Sequence, residues 1–144
     1  MTRQERLRHE FVEFIPEQLE EGAIYISLPH ATAMHLCACG CGREVPTPLS
    51  PTDWQVIFDG ETVSLKPSIG NWSFPCQSHY WIDRGRIRWA PKWSREKIEA
   101  GRARDRRTKE LWAAGQQIEQ VEPVVEEASS DKGFLRRLLQ KLRD

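Results

Sequence analysis

The chain has 144 residues, and its 21 basic and 21 acidic side chains give a formal net charge of zero. This balance argues against a general attraction to nucleic acid or to a membrane surface, and the length fits one domain or one domain with an appendage. No apolar stretch approaches the roughly 20 residues of a membrane span, and the charged start has no secretory signal. We therefore expect a cytoplasmic protein with reduced thiols.

The first half of the chain alternates short apolar runs with breaking residues. The charged start, up to residue 9, is expected to be frayed or weakly helical. Residues 11–15 and 23–27 are strand candidates, separated by Pro16 and Gly22. A segment rich in cysteine and glycine follows at 35–42, and then a loop rich in proline and serine runs to Pro51.

Two hairpins are predicted in the second half of the sheet region. Residues 54–58 and 62–65 flank Asp59-Gly60, a strong hairpin signal, and a turn-rich loop follows at 66–75. Residues 78–83 and 86–89 flank Arg84-Gly85. If that dipeptide forms a two-residue turn, Ile82 lies opposite Ile87 and Tyr80 lies opposite Trp89. These four side chains then share the face of the hairpin that is directed at the core.

The opposite side of this last hairpin is predicted to be polar. It carries His79, Trp81, Arg86 and Arg88. Because side chains alternate along a strand, His79 is expected to point away from the core.

The composition changes at Ser94. Ser94 is a good N-cap for a helix from Arg95 to about Gln120, which has few apolar residues and is expected to be mostly solvated. Its basic stretch at 102–109 is interleaved with acidic residues, which favours ion pairs over nucleic-acid binding. An acidic linker at 122–131 and a short amphipathic helix at 134–143 complete the chain.

The fold class predicted from these elements is mainly β. We expect a small zinc-stabilised antiparallel sheet domain at residues 1–93 and a charged, helical tail at 94–144.

The zinc prediction rests on the four cysteines of the sequence, Cys37, Cys39, Cys41 and Cys76. A four-thiolate zinc site contributes directly to folding, and glycines such as Gly40 and Gly42 let a loop wrap around an ion. The C-x-C-x-C spacing is tighter than the usual C-x2-C, so the number of these three thiols that bind stays open. His35 is a reserve ligand, although a surface or loop histidine is the simpler interpretation. Ordinary reduced thiols are the alternative to a metal site.

A closed four-cysteine site cannot activate water, so catalysis would require other residues nearby. Ser68 and His79 can form a nucleophile–base pair, and Gly70 could make a sharp turn that points N–H groups at an oxyanion. In the structural alternative, Ser68 caps a turn and His79 stacks on Trp81. Ser78 is a rival nucleophile, although it should face away from His79.

The orienting carboxylate of such a pair is left open. Asp53 and Asp59 are both candidates, and the sequence does not rank them.

Three motifs and one tryptophan together resemble a known family. They are His35-Leu36-Cys37-x-Cys39-Gly40-Cys41-Gly42, Pro67-Ser68-Ile69-Gly70-Asn71-Trp72, Cys76-x-Ser78-His79-Tyr80-x-Ile82, and Trp89. The pattern, within residues 10–91, is similar to small bacterial proteins from operons for ubiquitin-like conjugation (Bub systems), the BubE-like serine peptidases. The resemblance implies that Ser68 is the nucleophile, His79 the general base and the cysteines a structural zinc site. It also implies a ubiquitin-like protein as partner, together with its E1- and E2-like conjugation enzymes.

Two functions therefore follow from the sequence. The first is a zinc-stabilised serine peptidase that processes or deconjugates a bacterial ubiquitin-like protein. The second is a non-catalytic zinc module that recruits a protein or, less readily, a nucleic acid. The distance between Ser68 Oγ and His79, and access to them from a groove, separate the two.

Overall fold

A computed structural model of the chain describes residues 2–119. Within that range it contains eight strands and one helix. They are β1 (Arg8–Phe11), β2 (Ala23–Ser27), β3 (Thr32–Leu36), β4 (Glu44–Pro48), β5 (Gln55–Phe58), β6 (Val63–Gly70), β7 (His79–Asp83), β8 (Arg86–Trp89) and α1 (Arg95–Glu119).

The strands form two four-stranded sheets, in the orders β1-β2-β3-β4 and β5-β6-β7-β8. Strands β1 and β2 are parallel, and every other neighbouring pair is antiparallel. The predicted class, mainly β, is confirmed. Strand β4 was predicted as loop because of its prolines, but it lies at a sheet edge, where proline is tolerated, and buries Val45 and Thr47 on one face.

The predicted frayed start is wrong. The Leu7 side chain is buried, and its N–H donates to the Gly85 carbonyl at 2.8 Å, while the Gln4 N–H donates to the Ala38 carbonyl at 2.7 Å. The first strand is Arg8–Phe11 rather than 11–15. Through these two hydrogen bonds, the N-terminal segment connects the β3–β4 loop of one sheet with the β7–β8 turn of the other. Its charged residues flank the one buried leucine.

The last hairpin has the predicted turn and register. Arg84 and Gly85 have φ values of 50° and 74°, as a type I′ turn requires, and the opposed pairs are those predicted. In the other predicted hairpin, Phe58 pairs with Val63, so the turn has four residues. The Asp59 carboxylate accepts hydrogen bonds from Glu61 and Thr62 in that turn. These bonds lower the pKa of Asp59 to about 2, and the bonds from Thr62 contribute most.

Strand β6 is longer than predicted and contains a bulge. Leu65 pairs with Ile82 and Ile69 with Tyr80, so four steps along β6 match two along β7. Residues 66–68 lie opposite the single residue Trp81 of β7, and they belong to the segment predicted as a turn-rich loop. Because Leu65 and Ile69 are buried on the core side, the bulge changes the direction of Ser68 without disturbing the core.

Buried side chains of both sheets form one hydrophobic cluster, which includes Ile24, Ile26, Ala33, Val63, Leu65, Ile69, Tyr80 and Ile82. The contacts divide the chain after Arg102, so the first compact unit contains both sheets and the start of α1. Of the second unit, the described part is the helix from Ala103 to Glu119.

Helix α1 begins where the sequence predicts. The Lys97 N–H donates to Ser94 Oγ at 3.2 Å, which is an N-cap bond. The predicted acidic linker and terminal helix lie outside the described residues, and the boundary at Trp93 stays a prediction. Over residues 2–119, no helix has the length and apolar character needed to cross a membrane.

Leu7 provides a test of the N-terminal packing. We expect Leu7→Ala to lower the free energy of unfolding by about 2–5 kcal/mol, because it leaves a cavity where the two sheets are joined. Chemical denaturation monitored by circular dichroism would measure the loss. Leu28→Ala, at a leucine that is 59% exposed, is the control and should change stability little. Equal effects of the two substitutions would contradict the described packing.

Candidate functional site: a thiol cluster and a serine–histidine pair

The four cysteines meet between the two sheets. Cys37, Cys39 and Cys41 lie in the β3–β4 loop, and Cys76 lies in the β6–β7 loop. Their Sγ atoms are all within 4.8 Å of one another, with 3.4 Å between Cys37 and Cys39 and 3.8 Å between Cys37 and Cys76. This cluster can hold a metal ion, which would then connect one loop from each sheet.

The glycines of the β3–β4 loop make its tight course possible. Gly40 has a φ of 90°, and a Cβ there would lie 2.8 Å from the Thr2 carbonyl oxygen. Gly42 has a φ of 79°. Between them the Cys41 N–H donates to Cys39 Sγ at 3.3 Å. The loop therefore has the features of a metal-binding knuckle.

Two polar side chains donate hydrogen bonds to the cluster. Ser78 Oγ donates to Cys76 Sγ at 3.1 Å, and Asn71 Nδ2 donates to Cys37 Sγ at 3.5 Å. Donors of this kind stabilise thiolates. The sequence considered Ser78 as a rival nucleophile, but the structure places its hydroxyl on a cysteine sulfur.

The thiols differ in acidity. Burial raises the pKa of the Cys37 thiol to about 12. Burial also raises the pKa of Cys39, but hydrogen bonds, first from Ser78 and then from Cys41, outweigh it and lower this pKa to about 7. Metal binding to the cluster must therefore release protons, as it does at thiolate sites generally.

His35 is neither a surface nor a loop residue, so that interpretation is wrong. It lies in β3, fully buried, with its Nε2 2.7 Å from Tyr80 Oη. Burial lowers the pKa of His35 to about 4, so the ring is neutral at pH 7. Among the described residues, the group of side chains that could hold a metal ion consists of the four cysteines, and the proposed reserve ligand His35 is not one of them.

Ser68 and His79 lie within hydrogen-bond distance of each other. Ser68 Oγ is 2.9 Å from His79 Nε2, and His79 Nδ1 is 2.8 Å from the Pro91 carbonyl oxygen. A carbonyl oxygen only accepts, so in the neutral imidazole the proton is on Nδ1 and is donated to Pro91. The Nε2 atom is then free to accept the Ser68 hydroxyl proton.

The partner of His79 Nδ1 is a main-chain carbonyl and not the carboxylate that was considered from the sequence. Asp53 instead accepts a hydrogen bond from Ser50 Oγ at 2.7 Å, and Asp59 lies in the β5–β6 turn. Every residue type carries a backbone carbonyl, so no sequence signal identifies Pro91.

His79 is on the side of β7 predicted, opposite the core, but it is only 4% exposed. Its ring centroid lies 5.0 Å from that of Trp72, 5.1 Å from Trp93 and 5.6 Å from Trp81. Trp72 and Trp93 stack on each other at 5.5 Å. Three indoles therefore cover the imidazole. The contact with Trp81 considered as a structural alternative is present together with the Ser68 hydrogen bond, but the two rings are tilted by 39° and not stacked.

Gly70 does not make the sharp turn that the sequence suggested. It is the last residue of β6 and pairs with His79. A Cβ at this position would lie 2.6 Å from Trp72 Cε2, so the glycine is needed for the approach of the indole. Asn71, Trp72 and Trp93 were not singled out from the sequence, although Asn71 and Trp72 lie in its second motif.

The hydrogen-bonded pair faces an open cleft. Ser68 is half-buried at one side of this cleft, and the charged side chains of its lining are Lys92 and Lys97. Trp81, 41% exposed, separates it from a second cleft with a largely apolar lining that includes Leu49, Trp54, Val56 and Pro67. Trp81 thus lines both clefts, whereas Ser68 lines the first one.

Comparison with known proteins gives one match. The family model described as "Bacterial ubiquitination-like system serine protease (BubE)" matches residues 11–90, more than half of the chain. No curated protein and no solved structure matches.

Substitution of Gly70 tests the close approach of Trp72. We expect Gly70→Ala to displace the indole and weaken the signal of the stacked Trp72–Trp93 pair in circular dichroism, because the new Cβ overlaps the ring. Gly115→Ala is the matched control, since a Cβ at that position meets nothing within 4 Å. An unchanged Gly70→Ala spectrum would show that the indole lies elsewhere.

Proposed function

This chain belongs to the BubE family of bacterial ubiquitination-like system serine proteases. We therefore propose that it is a zinc-stabilised serine peptidase that processes or deconjugates a ubiquitin-like protein. The observation that carries the proposal is the 2.9 Å contact between Ser68 Oγ and His79 Nε2. Both residues lie inside the matched segment. In this proposal Ser68 is the nucleophile and His79 the general base.

The first chemical step follows from the hydrogen bonds. Ser68 Oγ attacks the carbonyl carbon of the scissile peptide bond while His79 Nε2 takes the hydroxyl proton, and the carbonyl electron pair moves to oxygen. The imidazolium keeps its proton on Nδ1 and continues to donate it in the hydrogen bond to the Pro91 carbonyl oxygen. When the tetrahedral intermediate collapses, Nε2 gives its proton to the leaving nitrogen, the C–N bond breaks, and an acyl ester remains on Ser68.

Water completes the cycle by the same proton transfers. His79 Nε2 takes a proton from a water molecule as its oxygen attacks the ester carbon. The proton then goes to Ser68 Oγ as the ester bond breaks, which releases the product as a carboxylic acid that ionises in water. In this proposal the carbonyl of Pro91 takes the place of a carboxylate side chain, because it accepts the hydrogen bond from His79 Nδ1.

We propose structural zinc at Cys37, Cys39, Cys41 and Cys76. Four thiolates match the coordination preference of Zn²⁺ and leave no open position for substrate, so the ion supplies a cross-link. Cys76 lies in the loop just before β7, the strand that begins at His79. The ion would thus fix the start of the strand that carries the general base. Reduced thiols also suit a cytoplasmic location.

The clefts suggest how the substrate binds. A flexible segment of the ubiquitin-like protein can lie across Trp81, with one part in the apolar cleft and the other beside Lys92 and Lys97. The E1- and E2-like enzymes of the same system are proposed as further partners. We propose residues 1–93 as the catalytic domain and 94–144 as its appendage.

An exposed aromatic cluster favours the second function, a non-catalytic module that recruits a protein. Phe11 and Phe58 are 44% and 51% exposed, their rings are 5.2 Å apart, and His9 contacts both. Aromatic side chains are typical of protein interfaces. In this alternative the Ser68–His79 contact has no catalytic role.

The zinc proposal predicts about one zinc ion per chain by native mass spectrometry. Cys76→Ser should lower both zinc content and thermal stability to the level of the Cys37, Cys39 and Cys41 triple serine variant, because loss of any ligand opens the closed site. Ser50→Ala, remote from the cluster, should keep its zinc. A folded protein without metal after expression in zinc-rich medium would contradict the proposal.

The catalytic proposal predicts that Ser68→Ala and His79→Ala each reduce cleavage of a ubiquitin-like precursor by at least about 10³-fold, with zinc content unchanged. The double variant should be little worse, because nucleophile and base act as one unit. Ser64→Ala, on the same strand, is the control and should cleave normally.

Other patterns would reject the proposal or its nucleophile. Loss of activity in Ser78→Ala but not in Ser68→Ala would mean a different nucleophile. Binding of the ubiquitin-like protein without cleavage by the unaltered enzyme would favour the recruitment module.

A further inference from the structure

Residues that complete the serine–histidine site lie beyond the segment that the family model matches. That segment ends at residue 90, whereas the carbonyl that holds His79 Nδ1 belongs to Pro91 and one of the covering indoles to Trp93. The lining of the cleft continues into α1 through Lys97.

The start of α1 holds Trp93 in place. Gly101 lies so close to the ring that a Cβ there would be 3.1 Å from Trp93 Cζ3, and Lys97 Nζ lies 4.9 Å from the ring centroid. Ile98 is buried, and Arg102 donates a hydrogen bond to Ser73 Oγ at 3.2 Å. The first two turns of α1 are thus packed against the sheet unit to which they belong.

Exclusion of water by the indoles has a consequence for the imidazole. When His79 takes a proton, its Nδ1–H···O=C bond to Pro91 becomes charge-assisted. Such a bond is stronger where water is excluded, and the 4% exposure of His79 shows that water is excluded here. Packed rings also fix the plane of the imidazole, so that Nε2 points at Ser68.

We propose that Trp93, held by the start of α1, is a positioning residue for the Ser68–His79 pair, and that with the Pro91 carbonyl it replaces the carboxylate of a three-residue serine protease site. This inference rests on the proposed function. The first turns of α1, which belong to the proposed appendage, would then support the catalytic domain through Trp93.

The test uses a biotinylated fluorophosphonate, which needs no substrate sequence: an activated serine oxygen attacks its phosphorus, a P–O bond forms and fluoride leaves. The full-length protein should label, and Ser68→Ala should not. Trp93→Leu should lower the maximal inactivation rate constant by about tenfold or more while the half-saturating probe concentration stays the same. Trp93→Phe should restore most of the rate, since it restores an aromatic ring. Trp112→Leu, an exposed tryptophan farther along α1, should behave as the unaltered protein does.

A second pair of variants covers the case in which Trp93→Leu fails to fold. Gly101→Ile keeps Trp93 but pushes its ring away, and should slow labelling as Trp93→Leu does. Gly115→Ile adds the same side chain to α1 at a position where a Cβ meets nothing within 4 Å, and should have no effect.

The results separate this inference from the proposed function. Labelling that depends on Ser68 but is unchanged in folded Trp93→Leu or Gly101→Ile would overturn the inference alone. Absence of labelling in the unaltered protein, or equal labelling of Ser68→Ala, would overturn both.

Discussion

The alternation of side chains along β7 is the constraint on which the site depends. Tyr80 points into the core, where its hydroxyl contacts buried His35, while the neighbouring His79 points to the opposite face, under the indoles. Cys76, in the loop just before the strand, belongs to the thiol cluster. One short segment therefore connects a thiol cluster that could hold a metal ion with the serine–histidine pair, so the position of the histidine is linked to that of the cluster.

The bulge in β6 supplies the second half of this geometry. A regular strand would keep the register of β7, but the additional residues between Leu65 and Ile69 let Ser68 meet His79 while both flanking side chains stay in the core. Bulges near catalytic residues commonly change the direction of a side chain in this way. The Ser68 hydroxyl thus lies on the outer face of the sheet, while the apolar side chains on either side of the bulge lie on the inner one.

Local patterns predicted much of this arrangement. The Arg84-Gly85 turn sets its register through the φ values it requires, and the clustered cysteines have few structural alternatives. The packing of the N-terminal segment through Leu7 was not predicted, because a single buried leucine among charged residues gives no periodic hydrophobic pattern. Likewise, no residue type could have identified the Pro91 carbonyl as the partner of Nδ1, or Trp93 as a cover, since both depend on how the chain returns over β7.

The central claim is that Ser68 is activated by a histidine that a main-chain carbonyl holds. Peptide mapping by tandem mass spectrometry after reaction with a fluorophosphonate tests it most directly, because the method identifies the residue that carries the adduct. If His79 activates Ser68, one adduct is expected, on Ser68, and none is expected when His79 is replaced by alanine. An adduct on Ser78 or on another hydroxyl, or one on Ser68 that forms equally well without His79, would contradict it.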